Sequence, residues 1–226
     1  LGDVYKRQVW DFTKSERRQT AREDVSKNKP LFVIGSPPCD QWSIMQNLNR
    51  DKRSQEDVDR KLAEARIHLA FCAELYQMQI DGGRYYVHEH PTSAASWNEK
   101  SIKRISDHPS NFTTRIHMCA YGMKIPDEHG NQYVYKPTQF LTNSPLVAAR
   151  LERKCDREHT HAKLQGVRTN KAAIYPEKLI DAVSQGINDQ IRADKHGLNL
   201  IALCAILGSY RLWQGLQHSA CLSMLI

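Results

Sequence analysis

Cys39 is the residue whose setting most favours covalent chemistry. It closes the sequence GSPPC at residues 35–39, directly after the large apolar residues 31–34. A thiol attacks as its thiolate, and because free cysteine ionises at about pH 8.5, a catalytic cysteine needs positive charge or a helix end close by. Free cysteines are more often small buried residues than nucleophiles. A rigid proline-rich loop after a buried strand favours the reactive alternative, and Cys39 is therefore a candidate nucleophile.

Glu89 is the second residue that could act on a substrate. It lies in the sequence His88-Glu89-His90-Pro91, where a carboxylate could be a general acid or a hydrogen-bonding anchor; the alternative is a solvated loop residue. His88 and His90 form an H-x-H pair, but no cysteine or carboxylate stands at a metal-binding spacing from them, so no metal site is predicted. A Cys–His hydrolase that pairs Cys39 with His88 or His90 stays open as an alternative, although no orienting residue or oxyanion-hole pattern is visible.

The cysteine pattern gives no sign of a metal or disulfide framework. The six cysteines include no C-x-x-C pair, which argues against a zinc ribbon and favours free thiols in a reducing, intracellular compartment, cytoplasmic or nuclear. Cys155 stands near His159 and His161, and this group is predicted to be polar surface. The most apolar run, residues 198–207, is too short to cross a bilayer.

The elements that would position Cys39 and Glu89 form a strand–helix–strand unit. Residues 31–34 and 84–88 are predicted strands, and the first is apolar throughout, as in a parallel sheet. Between them Ser54 begins a helix of about seven turns, which Gly82-Gly83 ends. The apolar face of this helix consists of Val58, Leu62, Ala65, Leu69, Cys72, Tyr76 and Ile80. In this α/β unit the Cys39 and Glu89 loops lie at the same sheet edge, where open α/β sheets bind ligands.

Further elements are predicted on both sides of this unit. A charged helix covers residues 15–28, a third strand covers 113–118, and a short extended piece lies within 133–142. A last helix starts at Pro176 and ends before Gly197. Residues 1–8, LGDVYKRQ, resemble a translated sequencing adapter and are set aside. The predicted domain is therefore 9–197, followed by a tail of unknown role at 198–226.

The charge of the chain favours a polyanionic partner. The net charge is +7 and the isoelectric point about 9.1, which fits nucleic acid, although many basic proteins bind none. The apolar fraction of 40% and the charged fraction of 25% are typical of a globular domain.

Several segments together resemble the cytosine-5 DNA methyltransferases, of the phage and retroelement type. Residues 32–43, FVIGSPPCDQWS, are similar to that family's Pro-Cys motif, and residues 86–91, YVHEHP, to its second signature, a strand that ends in Glu-Asn-Val. The fifty residues from Cys39 to Glu89 match the family's spacing. Weaker likenesses follow in the family's order: WDF at 10–12, YG at 121–122, KPT at 136–138 and LTN at 141–143.

This resemblance, which covers residues 9–197, implies an incomplete Rossmann-like methyltransferase sheet with flanking helices. It also implies S-adenosylmethionine as cofactor and DNA as partner, with RNA as the alternative. In this family the thiolate, here Cys39, adds to cytosine ring carbon 6, and the glutamate, here Glu89, binds and protonates the base, which has left the helix. The implied cofactor contacts are Asp11, Pro37 and Pro38. The implied nucleic-acid contacts are Ser43, Arg115 and Lys136.

The chain departs from the family's pattern at positions that matter for catalysis. Asp40 replaces the usual glutamine, and a negative charge beside a thiol raises its pKa. His90-Pro91 replaces Asn-Val, and the family's later paired arginines have only Arg115 and Lys136 as loose counterparts. The Gly-rich loop of the family's cofactor site is absent, since 38 residues precede Cys39. A truncated enzyme domain is therefore expected; the alternative is a non-catalytic nucleic-acid-binding remnant of a mobile element.

Overall fold

A computed structural model describes residues 11–43, 54–127, 130–162, 164 and 172–195. Within these ranges the strands are β1 (Phe32–Gly35), β2 (Tyr85–Pro91), β3 (Phe112–His117), β4 (Lys124–Asp127), β5 (Gly130–Tyr133) and β6 (Pro137–Thr142). The α-helices are α1 (Ser15–Asn28), α2 (Gln55–Asp81), α3 (Lys100–Ser106), α4 (Pro145–Arg150) and α5 (Glu177–Asp194).

Four strands form one mixed sheet in the order β1-β2-β6-β3. β1 and β2 are parallel, whereas β6 runs antiparallel to both of its neighbours, β2 and β3. β4 and β5 form a separate antiparallel pair. The chain is thus a mixed α/β protein with a four-stranded sheet and flanking helices. None of the helices in the described ranges is both long and apolar enough to span a membrane.

The strand–helix–strand unit predicted from the sequence is confirmed. β1 and β2 pair in parallel with Gly35 opposite His88, and α2 connects them. The Ser54 hydroxyl caps α2 by accepting the Asp57 N–H at 3.2 Å, which satisfies one of the unpaired donors of the first turn. Gly82 follows the last residue of α2, as the paired glycines predict.

β2 is longer than its sequence indicates. The prediction that Glu89 and His90 lie in a loop after residue 88 is wrong, because β2 continues to Pro91. The reason is the antiparallel pairing with β6, in which Glu89 is opposite Phe140 and His90 opposite Gln139. β6 lies about fifty residues further along the chain, so no pattern in the sequence around residue 89 predicts this pairing. Proline at the last strand position removes no donor from the interior of the ladder.

Alternation along β2 sends successive side chains into two separate cores. Tyr86 packs with Val33 and with residues of α1, α2 and α3 on one face of the sheet. Val87 packs with Ile34 and with residues of α4 and α5 on the other face. By the same alternation, the side chains of His88 and His90 lie on the α2 face of the sheet, and the side chain of Glu89 lies on the α5 face.

The remaining predictions are confirmed in part. The helix at 15–28 is α1, the third strand appears as β3, the extended piece is β6, and the helix after Pro176 is α5. α3, α4 and the β4–β5 pair were not predicted, since each is short and shows no clear periodicity. The segments 1–8 and 198–226 and the expected helix end at Gly197 lie outside the described residues.

Position 35, the last of β1, requires glycine because the hydroxyl of Tyr76 occupies the space of a side chain there. A Cβ at this position would stand 1.8 Å from the Tyr76 hydroxyl oxygen and 2.8 Å from the ring carbon that carries it. Tyr76 is fully buried on α2, so its ring has little room to retreat.

Replacing Gly35 by alanine should therefore lower the free energy of unfolding by about 1–3 kcal/mol. Urea denaturation followed by circular dichroism would measure this change. In a Tyr76→Phe background the cost of Gly35→Ala should shrink, because the atom closest to the new methyl group is gone. An equal cost in both backgrounds would contradict the steric explanation.

Candidate functional site

The Cys39 loop leaves the end of β1 and is anchored on both sides. Pro37 is buried, Pro38 is exposed and Cys39 is half-buried. A short 3₁₀ turn, Asp40–Trp42, follows, in which the Trp42 N–H donates to the Cys39 carbonyl at 3.1 Å. The Trp42 side chain lies in the α2-side core and fixes the turn. Cys39 is thus partly accessible on a loop with little freedom to move.

Glu89 lies at the end of the neighbouring strand and is only 6% exposed. Its Oε2 accepts a hydrogen bond from the Ser36 hydroxyl at 2.6 Å and a second one from the Tyr175 hydroxyl. The two hydroxyl oxygens are 2.7 Å apart. A buried carboxylate needs such donors, because burial without them costs several kcal/mol. Ser36 thus ties the Cys39 loop directly to Glu89.

His90 supports the same loop from the opposite face of the sheet. Its Nε2 donates to the Pro37 carbonyl at 2.9 Å, and its Nδ1 accepts from the Ser96 hydroxyl at 2.5 Å. A carbonyl can only accept, which fixes this tautomer. Burial lowers the pKa of His90, so the ring is neutral and both nitrogens are engaged.

His88 is also engaged inside the protein. Its Nδ1 lies 2.9 Å from the Tyr76 hydroxyl, and burial lowers its pKa well below the usual value. His88 and His90 face the α2 core rather than the Cys39 thiol. Neither ring is therefore placed as a general base for Cys39, and the pair does not present two open nitrogens to a metal.

Lys136 joins this site from the segment that precedes β6. Its Nζ donates to the Ala172 carbonyl at 3.1 Å and lies 6.0 Å from the centre of the Tyr175 ring. Burial raises the pKa of the Cys39 thiol, the Glu89 carboxylate raises it further, the Lys136 ammonium lowers it, and Asp40 raises it. The raising effects dominate, so the thiol form prevails at neutral pH in the protein alone.

Arg115 is separated from this group by the sheet. It lies opposite Gln139, which in turn lies opposite His90, so Arg115 belongs to the face away from Glu89. Its Nε donates to the Gln139 amide oxygen at 2.9 Å. Of the two basic residues singled out in the sequence, the structure brings Lys136 to Cys39 and Glu89, and it does not bring Arg115 there.

Two further predicted contact residues, Ser43 and Asp11, are held by local hydrogen bonds. Ser43 follows the 3₁₀ turn, and its N–H donates to the Asp40 carbonyl at 3.4 Å. Asp11 precedes α1, and its carboxylate accepts the hydroxyl of Thr13 at 2.6 Å and the Thr13 N–H at 3.1 Å. These hydrogen bonds lower the pKa of Asp11. The Asp11 carboxylate therefore has a structural role at the start of α1, beside α2.

Two residues that complete the site, Ser36 and Tyr175, were not predicted from the sequence. Ser36 stands inside the GSPPC sequence, where only its position before the two prolines could have drawn attention to it. Tyr175 lies 86 residues after Glu89 and directly before Pro176, so nothing local connects it with the carboxylate. Both are hydroxyl donors to Glu89, and the burial of this carboxylate, which the sequence did not predict, is what makes such donors necessary.

Replacing Asp40 by asparagine should make Cys39 more reactive. Asp40 raises the thiol pKa, so its removal lowers that pKa and increases the thiolate fraction at any pH below it. Alkylation of Cys39 by iodoacetamide, followed by peptide mass spectrometry, should accelerate roughly two- to fivefold at pH 7.5, with the pH profile shifted to lower pH. Asp107→Asn, an exposed carboxylate after α3, is the matched control. An unchanged profile in Asp40→Asn would contradict the electrostatic account.

Comparison with known proteins identifies no relative. No family model, no curated protein and no solved structure matches this chain.

Proposed function

We propose that this chain is a cytosine-5 DNA methyltransferase-like domain that uses S-adenosylmethionine, with Cys39 as nucleophile and Glu89 as the residue that binds the base. One observation carries the proposal: a partly accessible cysteine and a buried, hydrogen-bonded glutamate meet at the ends of two adjacent parallel strands. The parallel β1–α2–β2 unit also favours an incomplete Rossmann-like methyltransferase sheet, and the net charge of +7 favours DNA as the partner.

The proposed reaction begins with the Cys39 thiolate. It forms a bond to cytosine ring carbon 6, and the electron pair of the 5–6 double bond moves towards ring nitrogen 3, which takes a proton. Carbon 5 is then an enamine carbon and would accept the methyl group that S-adenosylmethionine would supply, with S-adenosylhomocysteine as the leaving group. Loss of the carbon 5 proton, expulsion of the thiolate and release of the proton from ring nitrogen 3 restore the aromatic base. Covalent addition thus divides one difficult step into easier ones.

Glu89 is suited to the proton transfer in this scheme. Two hydroxyls bind its Oε2, and Oε1 contacts the base in the proposed scheme. A carboxyl group that donates to ring nitrogen 3 and accepts from the amino group both orients cytosine and stabilises the adduct. A positioned general acid of this kind contributes roughly 10²- to 10⁴-fold to rate. The Lys136 ammonium would also assist the reaction, because it lowers the pKa of Cys39 and so favours the thiolate.

The described residues offer only part of a site for S-adenosylmethionine, which would supply the methyl group. Pro38 is exposed beside Cys39, but the Pro37 carbonyl is bound to His90 and the Asp11 carboxylate is bound to Thr13. These three residues do not fit the cofactor as a complete set. The steps derived for this chain are therefore those on the base.

A second function, binding nucleic acid without catalysis, is favoured by the raised pKa of Cys39. Glu89 and Asp40 both disfavour the thiolate that methyl transfer requires, and an exposed carboxylate next to the nucleophile serves no step of the reaction. A protein that had lost catalysis could keep the sheet, the loop and the basic charge. A Cys–His hydrolase is not proposed, because both nitrogens of His90 are engaged and His88 faces the α2 core.

A trapping experiment separates these functions. The full-length protein is incubated with a duplex that carries 5-fluorocytosine and with S-adenosylmethionine. Fluorine at carbon 5 cannot leave as a cation, so the covalent complex persists after methyl transfer. Denaturing electrophoresis should show an adduct for the unaltered protein and none for Cys39→Ser, while Cys72→Ser, which changes a buried thiol on α2, should still form it.

Two results would reject the catalytic proposal. If the unaltered protein and Cys39→Ser bind the duplex equally and neither forms an adduct, the non-catalytic function is the correct one. If Cys39→Ser forms as much adduct as the unaltered protein, the nucleophile is another residue.

A further inference from the structure

Four metal-ligand side chains gather outside the group of residues that forms the Cys39 site. They are Cys119, Cys155, His159 and His161, and their ligand atoms all lie within 4.8 Å of one another. The sequence analysis interpreted the last three as polar surface, and Cys119, 36 residues before Cys155, was not connected with them. We propose that these four residues bind a structural zinc ion.

The distances between the donor atoms fit a tetrahedral ion. Cys155 Sγ lies 3.6 Å from His159 Nε2 and 3.4 Å from His161 Nε2. Zinc bonds of about 2.3 Å to sulfur and about 2.0–2.1 Å to nitrogen separate neighbouring tetrahedral donors by roughly 3.3–3.8 Å. The cluster therefore needs only small adjustments to enclose an ion. Two thiolates and two imidazoles in a closed tetrahedron are a ligand set typical of structural zinc.

An ion would stabilise the segment 155–161, which has no buried apolar side chain. It contains no helix or strand beyond one bridge between His161 and Tyr133. Cys155, His159 and His161 are half-buried, and the other four residues of the segment are exposed. The side chains that turn inward are thus the proposed ligands alone. An irregular segment without buried apolar side chains has little else to offset its conformational entropy.

Neighbouring groups orient the ligands for binding. The Arg157 N–H donates to Cys155 Sγ at 3.3 Å, with Arg157 in the left-handed region at φ 67°. The Asp156 carboxylate lies 3.5 Å from His159 Nδ1, while Nε2 of the same ring lies in the cluster, 3.6 Å from Cys155 Sγ. A carboxylate behind a ligating histidine is a common arrangement in zinc sites.

The site would join three parts of the chain. Cys119 lies in the 3₁₀ turn Met118–Tyr121, directly after β3. The Cys155 N–H donates to His117 Nδ1 at 2.9 Å. The ring of Tyr133, at the end of β5, packs against the ring of His159 in a tilted arrangement, with the ring centres 4.1 Å apart. An ion here would clamp segment 155–161 onto the end of β3 and onto the β4–β5 hairpin. This role does not depend on the proposed function of the Cys39 site.

Cobalt substitution tests the site directly. The full-length protein is reduced, freed of metal with a chelator and titrated with Co²⁺. One equivalent should bind with thiolate charge-transfer bands in the near ultraviolet and the strong visible bands of tetrahedral cobalt, and one equivalent of Zn²⁺ should remove both. Zinc binding should also release about two protons per ion, one from each thiol. A weak octahedral spectrum, or no saturable binding, would overturn the proposal.

Matched variants assign the ligands. Cys155→Ser and His161→Asn should each weaken zinc binding by more than the roughly 10- to 100-fold typical of losing a supporting hydrogen bond. Cys39→Ser and His108→Asn should keep one equivalent with the affinity of the unaltered protein. If Cys155→Ser retains that affinity, Cys155 is not a ligand and the proposal is wrong. Where a variant fails to fold, the cobalt spectrum of the unaltered protein decides the question alone.

Discussion

The buried carboxylate of Glu89 is the constraint on which the arrangement of this site depends. It receives hydrogen bonds from Ser36, which follows β1, and from Tyr175, which precedes α5. One oxygen atom thus links the loop after one parallel strand, the end of the next strand and the start of a helix far along the chain. Loss of either donor would leave a buried acceptor under-satisfied, at a cost of about 1–3 kcal/mol.

Alternation along β2 lets two successive residues hold two successive loop residues from opposite faces of the sheet. Glu89 binds the side chain of Ser36 on the α5 face, and His90 binds the carbonyl of Pro37 on the α2 face. The loop is therefore fixed two residues before Cys39. The buried Trp42 fixes it again three residues after Cys39. Preorganisation of this kind is what a nucleophile needs, because small displacements of a reacting atom reduce rates strongly.

The sequence predicted those features that local patterns encode. The periodicity of α2, its serine cap and its paired glycines gave the strand–helix–strand unit, and with it the proximity of Cys39 and Glu89. Long-range pairing was hidden: β6 extends β2 to Pro91, and Tyr175 reaches Glu89 across 86 residues. The sheet face on which the Arg115 side chain lies could not be predicted, because it depends on the register in which β3 pairs with β6. The proximity of Cys119 to Cys155 could not be predicted either, because Cys119 lies in the turn after β3 and its position depends on where β3 lies in the sheet.

The proposed function requires the Cys39–Glu89 edge of the sheet to methylate carbon 5 of cytosine. The most direct measurement is mass spectrometry of nucleosides from DNA that has been incubated with the full-length protein and S-adenosylmethionine. The account predicts 5-methyl-2′-deoxycytidine, roughly 100-fold or more below the unaltered level with Glu89→Gln and about tenfold below it with Tyr175→Phe, which removes one hydrogen bond to the carboxylate. A methyl group found on adenine, or an equal yield of 5-methyl-2′-deoxycytidine from Glu89→Gln, would contradict it.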